Sequence, residues 1–431
     1  MRITCLSDRN FLFLQGPHGP FFYELSRLVQ KAGCSVQKIG INQGDAYYWP
    51  DRSSYVAYTQ NLSNWPEYLD RFVQEHSITD IVVYGDTREL HSVARQVTQA
   101  HDLLLHCFEE GYLRPYWITY ERGGANGNSP LMEMSMDMIR ETLSRPDAVQ
   151  VDAPAQWGAM WHHTFFGSIY HANILFRNGA YPHFQSHRKE GVGREWALHC
   201  KRLLTYPWGL LKRSFQTKKL LKSGAPYHVA LLQLGHDASV QDHSDITSMR
   251  EFIEITVAGF TNGAPSHHHL AFKAHPLEDG REPIARIIKR EAHKRGVEDR
   301  VWLIGGGKLG PLLDRSSSVV TVNSTAGQQA LWRGLPLKVF GRSVYQKPEF
   351  VSDQSLAEFF QAPKTPDAVA YRQFRQFLLE TSQIGGGYYT ANGRRAAKRA
   401  AIDLLLRDSD IYISSRHKKV TMDVKLTVVS G

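Results

Sequence analysis

Short apolar runs alternate with amphipathic stretches over the first 150 or so residues of this 431-residue chain, and the same alternation restarts at Tyr227. A short apolar run bounded by turn formers suits a strand covered on both faces, and strands separated by amphipathic helices build a parallel sheet. Two such series in a chain of this length predict an α/β protein of two Rossmann-like domains. In the first series, a strand-like run at 11–15 is followed by a helical stretch at 21–32, and a second at 81–84 by a helical stretch at 91–100. The second series predicts strands at 229–233, 270–274, 301–304, 318–322 and 337–340, with helices at 248–260, 284–295 and 326–333. Helical patterns recur at 356–360, 368–381 and 394–406, and the last is expected to cross back onto the first domain. The expected division is an N-terminal Rossmann-like domain (1–180), a basic amphipathic segment (181–225), a C-terminal Rossmann-like domain (226–390), and a helix and tail (391–431). Residues 408–431 receive no place.

Composition narrows the function classes. Cys5, Cys34, Cys107 and Cys200 form no CxxC pair, so neither a zinc site nor a disulfide framework is expected, and a reducing compartment is the simpler reading. No signal-peptide pattern opens the chain, and no apolar run reaches the roughly 18–20 residues that span a bilayer. A cytoplasmic protein, free or peripheral on a membrane, is therefore expected. The net charge of +9 favours anionic partners: lipid, nucleotide or nucleic acid. No nucleic-acid motif accompanies the charge, so nucleic acid is not expected. Ten Lys and Arg residues between 186 and 223, among them Lys212, Lys218 and Lys219, are interleaved with Trp196, Trp208 and Phe215. That mixture reads as a membrane-surface element, and a solvated interdomain helix pair is the competing reading.

Four segments carry candidate chemistry. Glu109 and Glu110 follow the apolar run 103–107 and precede Gly111, so one of them is a candidate general acid or base at a strand end. In an extended backbone only one of the two faces a cleft. The run 231–234 delivers Gln233, His236 and Asp237 to its carboxyl end, where Asp237 is either a catalytic carboxylate or a helix cap. Lys273 and His275 share a face just before the turn at Pro276 and suit a phosphate or carboxylate. Asn323, Ser324 and Thr325 follow an apolar strand and open a helix, where hydroxyls and free backbone N–H groups make a phosphate site, a helix cap, or both. The loop Gly16, Pro17, His18, Gly19 follows the first strand, and its glycines permit close approach of a ligand. GxxxxGK[ST], HExxH and GxSxG are absent, and His267–His269 lacks metal-ligand spacing, so no metal is assigned.

Taken in order, FLFLQGPHGPFF (11–22), FEEGYLRPYWITYE (108–121), LLQLGHDASV (231–240), KAHP (273–276) and VNSTAGQQAL (322–331) resemble the capsule polysaccharide export and biosynthesis family (KpsS/LipB-like), whose members are β-Kdo transferases. The resemblance implies a GT-B-like pair of domains facing across a cleft, CMP-Kdo as donor with no separate cofactor, and a phospholipid acceptor at the inner-membrane surface. It also implies Asp237 as nucleophile of a retaining double displacement and Glu110 or Glu109 as acid and base. Lys273 and His275 would neutralise the CMP phosphate and the Kdo carboxylate, Ser324 and Thr325 would hold the phosphate, and Gln233 would orient the donor. The chain departs from the family at Ala238 and Ala274, which leaves another CMP-activated acidic sugar open as donor. Two other readings share these features: a non-enzymatic factor of a capsule biosynthesis and export complex, and another GT-B nucleotide-sugar enzyme such as an epimerase.

Overall fold

The structure, a computed structural model, describes residues 6–143, 160–185, 191, 193–194, 196–197, 216–234, 243–276, 278 and 282–412. The first sheet contains β1 (Asn10–Phe13), β2 (Ser35–Gly40), β3 (Tyr55–Ala57), β4 (Asp80–Tyr84), β5 (Leu104–Glu110) and β6 (Trp117–Arg122). The second contains β7 (Tyr227–Leu231), β8 (His269–Lys273), β9 (Val301–Ile304), β10 (Ser318–Thr321) and β11 (Leu337–Val339). A last strand, β12 (Gln383–Gly385), returns to the first sheet, giving the orders β12-β6-β5-β4-β1-β2-β3 and β11-β10-β7-β8-β9.

The second sheet is parallel throughout, as expected. The first departs from a fully parallel sheet at one edge, where β6 runs antiparallel to β5 and β12 antiparallel to β6. The connection from β5 to β6 is only residues 111–116, too short for the crossover that a parallel neighbour requires. The return at β12 takes residues 383–385, within the stretch 226–390 expected for the second domain, back to the first sheet.

Burial explains why the strands read so clearly. Phe11, Leu12 and Phe13 of β1 are all fully buried, as are Val229 and Ala230 of β7, because both faces of each sheet are covered. One core lies between the first sheet and the helices Trp65–Glu75 and Glu89–Ala100, and another between the second sheet and the helices Met249–Gly263 and Ile284–Lys294. A third runs continuously from Phe11 and Phe108 through Val229 and Val319 to Phe374 and Ala401, so the two halves share apolar packing. Polar ties cross the same boundary: Gln328 Nε2 donates to the Tyr112 carbonyl at 2.9 Å, and Lys347 Nζ donates to the carbonyls of Leu131 and Met134, each at 2.6 Å.

The final helix, Ala391–Leu406, docks on the first half, as its pattern predicted. Arg394 and Lys398 pair with Glu24, and the last-turn carbonyl of Leu404 accepts from Arg122, that of Leu405 from Arg9. These side chains occupy carbonyls that no intrahelical partner reaches. Beyond the helix, Tyr412, Ser129 and Tyr112 donate their hydroxyls to the buried Glu121. Burial pushes the Glu121 carboxyl up to about 7, against the three donors, which favour its charged form. Tyr412→Phe removes one donor from this buried carboxylate and is expected to cost about 1–3 kcal/mol in urea unfolding. An unchanged midpoint would show that residues beyond the helix do not clasp the first sheet.

Candidate active site

Both sheets turn strand ends toward one cleft of ≈ 530 Å³, within the usual range of small-molecule sites. From the first sheet come Tyr84 at the end of β4, Glu110 at the end of β5, and Trp117 and Ile118 at the start of the antiparallel β6. Leu231 at the end of β7, Lys273 at the end of β8 with the following His275 and Pro276, and Ser324 and Thr325 after β10 form the facing wall. Residues 386–390, after β12, close one side. Ligands bind beyond the carboxyl ends of strands in open α/β sheets, and here two such edges share one space.

The pleat separates the two adjacent glutamates. Glu110 lines the cleft and its Oε1 accepts from the Tyr84 hydroxyl at 3.1 Å. Glu109 turns back over the sheet, where its Oε1 accepts the Glu110 N–H at 2.9 Å and its Oε2 lies 3.1 Å from where a Cβ on Gly85 would stand. Burial pushes the Glu109 carboxyl up to about 7, the Glu110 amide pulls it down, and the neighbouring Glu110 charge adds to the rise. Gly111 is required at the turn: its N–H donates to the Trp117 carbonyl at 3.1 Å, and any Cβ would lie 2.3 Å from that same oxygen. This contact sets the angle at which β5 ends, and with it the direction of Glu110.

On the facing wall, Lys273 and His275 open on the cleft with the hydroxyl residues Ser324 and Thr325. The helix start is less open than its sequence suggests. Ser324 Oγ takes the Ala326 N–H at 3.2 Å, and the N–H groups of Gly327, Gln328 and Gln329 donate to the carbonyls of Ser324, Thr325 and Ala326. A tight turn thus occupies the amides of residues 326–329. Gln233 and Asn323 do not line the cleft. They join β7 to β10 beneath its floor, with Gln233 Nε2 donating to Asn323 Oδ1 at 2.9 Å and Asn323 N donating to Gln233 Oε1 at 3.0 Å. Both are nearly fully buried, so any influence on a ligand passes through the strand ends they hold.

The loop at Gly16, Pro17, His18 and Gly19 is likewise away from the cleft. The helix Met160–Arg177 roofs it, His18 stacking on Tyr170 at 4.3 Å between centroids. The space a Cβ would take at Gly16 is filled by Phe22 and that at Gly19 by Phe166, so these glycines serve internal packing. His236 and Asp237 lie outside the described residues, as does most of the basic segment 181–225. Among the described residues, no group of three or more His, Cys, Asp or Glu is placed to hold a metal ion.

A family model described as "Capsule polysaccharide biosynthesis protein" matches residues 79–389, which contain the cleft residues of both sheets. The chain belongs to the capsule polysaccharide biosynthesis family. Among its relatives, the capsule polysaccharide modification protein LipB of Neisseria meningitidis serogroup A is 31% identical over 395 residues, covering 89% of this chain and 92% of LipB. The capsule polysaccharide export protein KpsS of Escherichia coli is 30% identical over 389 residues, covering 89% of this chain and 98% of KpsS. Of solved structures, the β-Kdo 2,7 transferase KpsC of Thermosulfurimonas dismutans aligns over 92% of this chain and 98% of that chain, with a TM-score of 0.45 and 10% identity.

Several cleft residues of this family member escape a reading by motif. Tyr84, Arg114, His162, His163, Tyr388 and Tyr389 all line the space. Tyr388 donates its hydroxyl to the Glu109 carbonyl at 2.8 Å and meets the Tyr84 ring edge-on at 5.3 Å, so an aromatic wall backs the two glutamates. The string GGGYY at 385–389 was the available signal, since three glycines between two helices mark a backbone that must pass close to something. At Gly386 the backbone has φ +149°, and a Cβ would stand 2.7 Å from the Gly393 carbonyl oxygen.

Proposed function

We propose that this chain is a retaining β-Kdo transferase that moves Kdo from CMP-Kdo to a (lyso)phosphatidylglycerol acceptor, starting the lipid linker of a capsule polysaccharide. The reading is carried by the juxtaposition, across one cleft, of the Glu110 carboxylate with Lys273, His275, Ser324 and Thr325. Relatives named for capsule polysaccharide modification and export supply the biological setting.

In the proposed reaction, the Asp237 carboxylate attacks the anomeric carbon while the bond from that carbon to the CMP phosphate oxygen breaks. Lys273 and His275 offset the charge that collects on the departing phosphate, and the hydroxyls of Ser324 and Thr325 donate to it. The acceptor hydroxyl then attacks the same carbon from the face the phosphate left. Glu110 takes its proton, and the bond to Asp237 breaks. Two inversions return the starting configuration. Tyr84 holds the Glu110 carboxylate in place, and the Gln233–Asn323 pair holds the strand ends that present the facing wall. No cofactor enters, and a lipid acceptor makes the protein peripheral on the inner membrane, beside the other members of a capsule assembly.

The test is CMP release by purified protein given CMP-Kdo and a fluorescent phosphatidylglycerol, with the lipid product weighed by mass spectrometry, wild type beside Asp237→Ala. Lipid gaining the mass of Kdo with wild type alone is the expected result. Absence of product from folded wild type, even with a Kdo-primed acceptor, would remove the donor assignment and leave the assembly-factor reading.

A further inference from the structure

The helix Met160–Arg177 turns large apolar side chains outward. Its inward side carries hydrogen-bonding residues: the Tyr170 hydroxyl accepts from Gln15 and Asn42 at 2.7 and 2.8 Å and donates to Asp45 at 3.0 Å. Its outward side carries Trp161, Phe165, Leu175 and Phe176, exposed by 47, 46, 40 and 69%. At about 100° per residue these four positions, with Ser168 and Ala172 between them, fall on one stripe along the helix, at whose far end the Phe176 ring meets the Trp196 ring edge-on at 5.6 Å. Among its eighteen residues the helix holds no Asp, Glu or Lys, and its one Arg is the last residue, Arg177. A water-facing helix normally places its charges on the side that this one fills with aromatic rings.

Two further observations identify what covers the stripe. The first is charge: Arg177 ends the helix and is exposed, and the whole chain carries +9. An aromatic stripe ended by a cation on a basic protein suits an anionic lipid surface, where rings settle at headgroup depth and cations meet phosphates. The second is position: His162 and His163, in the first turn of the same helix, line the cleft, and the Trp161 ring stacks on His162 at 3.8 Å. The stripe therefore begins at the mouth of the cleft. No helix among the described residues is long and apolar enough to cross a membrane, so the helix would lie along the surface.

We infer that the outward face of the helix Met160–Arg177 is a lipid-docking surface that seats the cleft mouth on an anionic bilayer, with Trp161, Phe165 and Phe176 entering the interface. The inference takes its purpose from the lipid-acceptor reading above, but its test does not depend on that activity. The full-length protein is sedimented with vesicles of phosphatidylcholine containing one quarter phosphatidylglycerol, wild type beside the triple variant Trp161→Ser, Phe165→Ser, Phe176→Ser. A second triple variant, Trp161→Phe, Phe165→Leu, Phe176→Leu, keeps the face apolar.

The serine variant is expected to partition at least tenfold more weakly, and the apolar variant within about twofold of wild type. Transfer to a dissolved short-chain acceptor is expected to be equal in all three. Partition of the serine variant within twofold of wild type overturns the inference. So does a wild-type dimer that the serine variant dissociates with vesicle binding unchanged, because a second copy would then cover the stripe. Should the serine variant fail to fold, quenching by brominated lipid decides: a component present in wild type and lost in Trp161→Phe supports docking, and identical quenching overturns it. Vesicle binding that depends on the stripe in a protein that transfers no Kdo leaves this inference standing and removes the proposed activity.

Discussion

Glu110→Gln is expected to lower the proposed transfer reaction by about 10²- to 10⁴-fold, the range over which a positioned general acid or base contributes, while leaving the fold intact. The isostere keeps the size of the side chain and can still accept from Tyr84, but it cannot take the proton of an attacking hydroxyl. Glu109→Gln is the informative neighbour. Its carboxyl faces away from the cleft and sits near 7 because burial disfavours its charge. Glutamine there keeps the acceptor for the Glu110 N–H, so most activity is expected to survive. A folded-state value above the ordinary carboxyl range means that Glu109 contributes stability in full below about pH 4.5, and that this is lost as pH rises through about 7. Glu109→Gln should therefore raise the urea midpoint above pH 7 and leave it nearly unchanged near pH 4. Equal transfer rates for Glu110→Gln and wild type would remove Glu110 from the chemistry.

Asp80→Ala is expected to cost about 3–5 kcal/mol, because it strands a charge in the core of the first half. Arg9 and Asp80 are an almost fully buried pair at the centre of the sheet, and His106 Nε2 donates to Asp80 Oδ1 at 2.7 Å while its Nδ1 accepts from Tyr120 at 2.7 Å. Burial raises the Asp80 carboxyl, but the hydrogen bonds and charges of His106 and Arg9 outweigh it and hold the group at about 2. Burial drives His106 the other way, down to about 4, against the pull of Asp80. The two groups divide the acid range. A base whose folded value is depressed opposes folding once the unfolded chain begins to bind protons, so stability falls from about pH 6.5 to about pH 4 through His106. Asp80 contributes fully above its unfolded value of 3.8 and is lost only as pH falls toward 2. His106→Asn is expected to flatten the stretch between pH 6.5 and 4 in a urea titration, and an unaltered slope there would show that His106 does not govern it.

The strands most legible in the sequence were those buried on both faces. β1, β4, β7, β8 and β10 lie within a residue or two of their expected positions, because a central strand must be apolar throughout, and the edge strands β9 and β11 were placed as well. β3 (Tyr55–Ala57) was not: a three-residue edge strand buries too little to leave a pattern. The antiparallel edge β6–β12 was missed for a different reason, since its pairing joins residue 119 to residue 383, and no local pattern reports a partner so distant.

The site divides along the same line. That Lys273, His275, Ser324 and Thr325 stand at strand ends was legible in the sequence, since strand-end position is a local property, and the cleft gathers all four. Which of Glu109 and Glu110 faces that cleft depended on the pleat of β5, and Gly111 sets that only through its contact with Trp117 across the turn. Gln233 and Asn323 read as ligand contacts from their strand-end places, and only the fold pairs them with one another, because two amides at neighbouring strand ends meet once β7 and β10 pair. The loop 16–19 read as open and proved to be covered, since the helix that roofs it lies some 140 residues farther along the chain. Periodicity and residue chemistry, each carried within a few neighbours, determined the two-sheet architecture and the character of the site. The tertiary structure alone decided which groups share the cleft, because that is set by contacts between segments hundreds of residues apart.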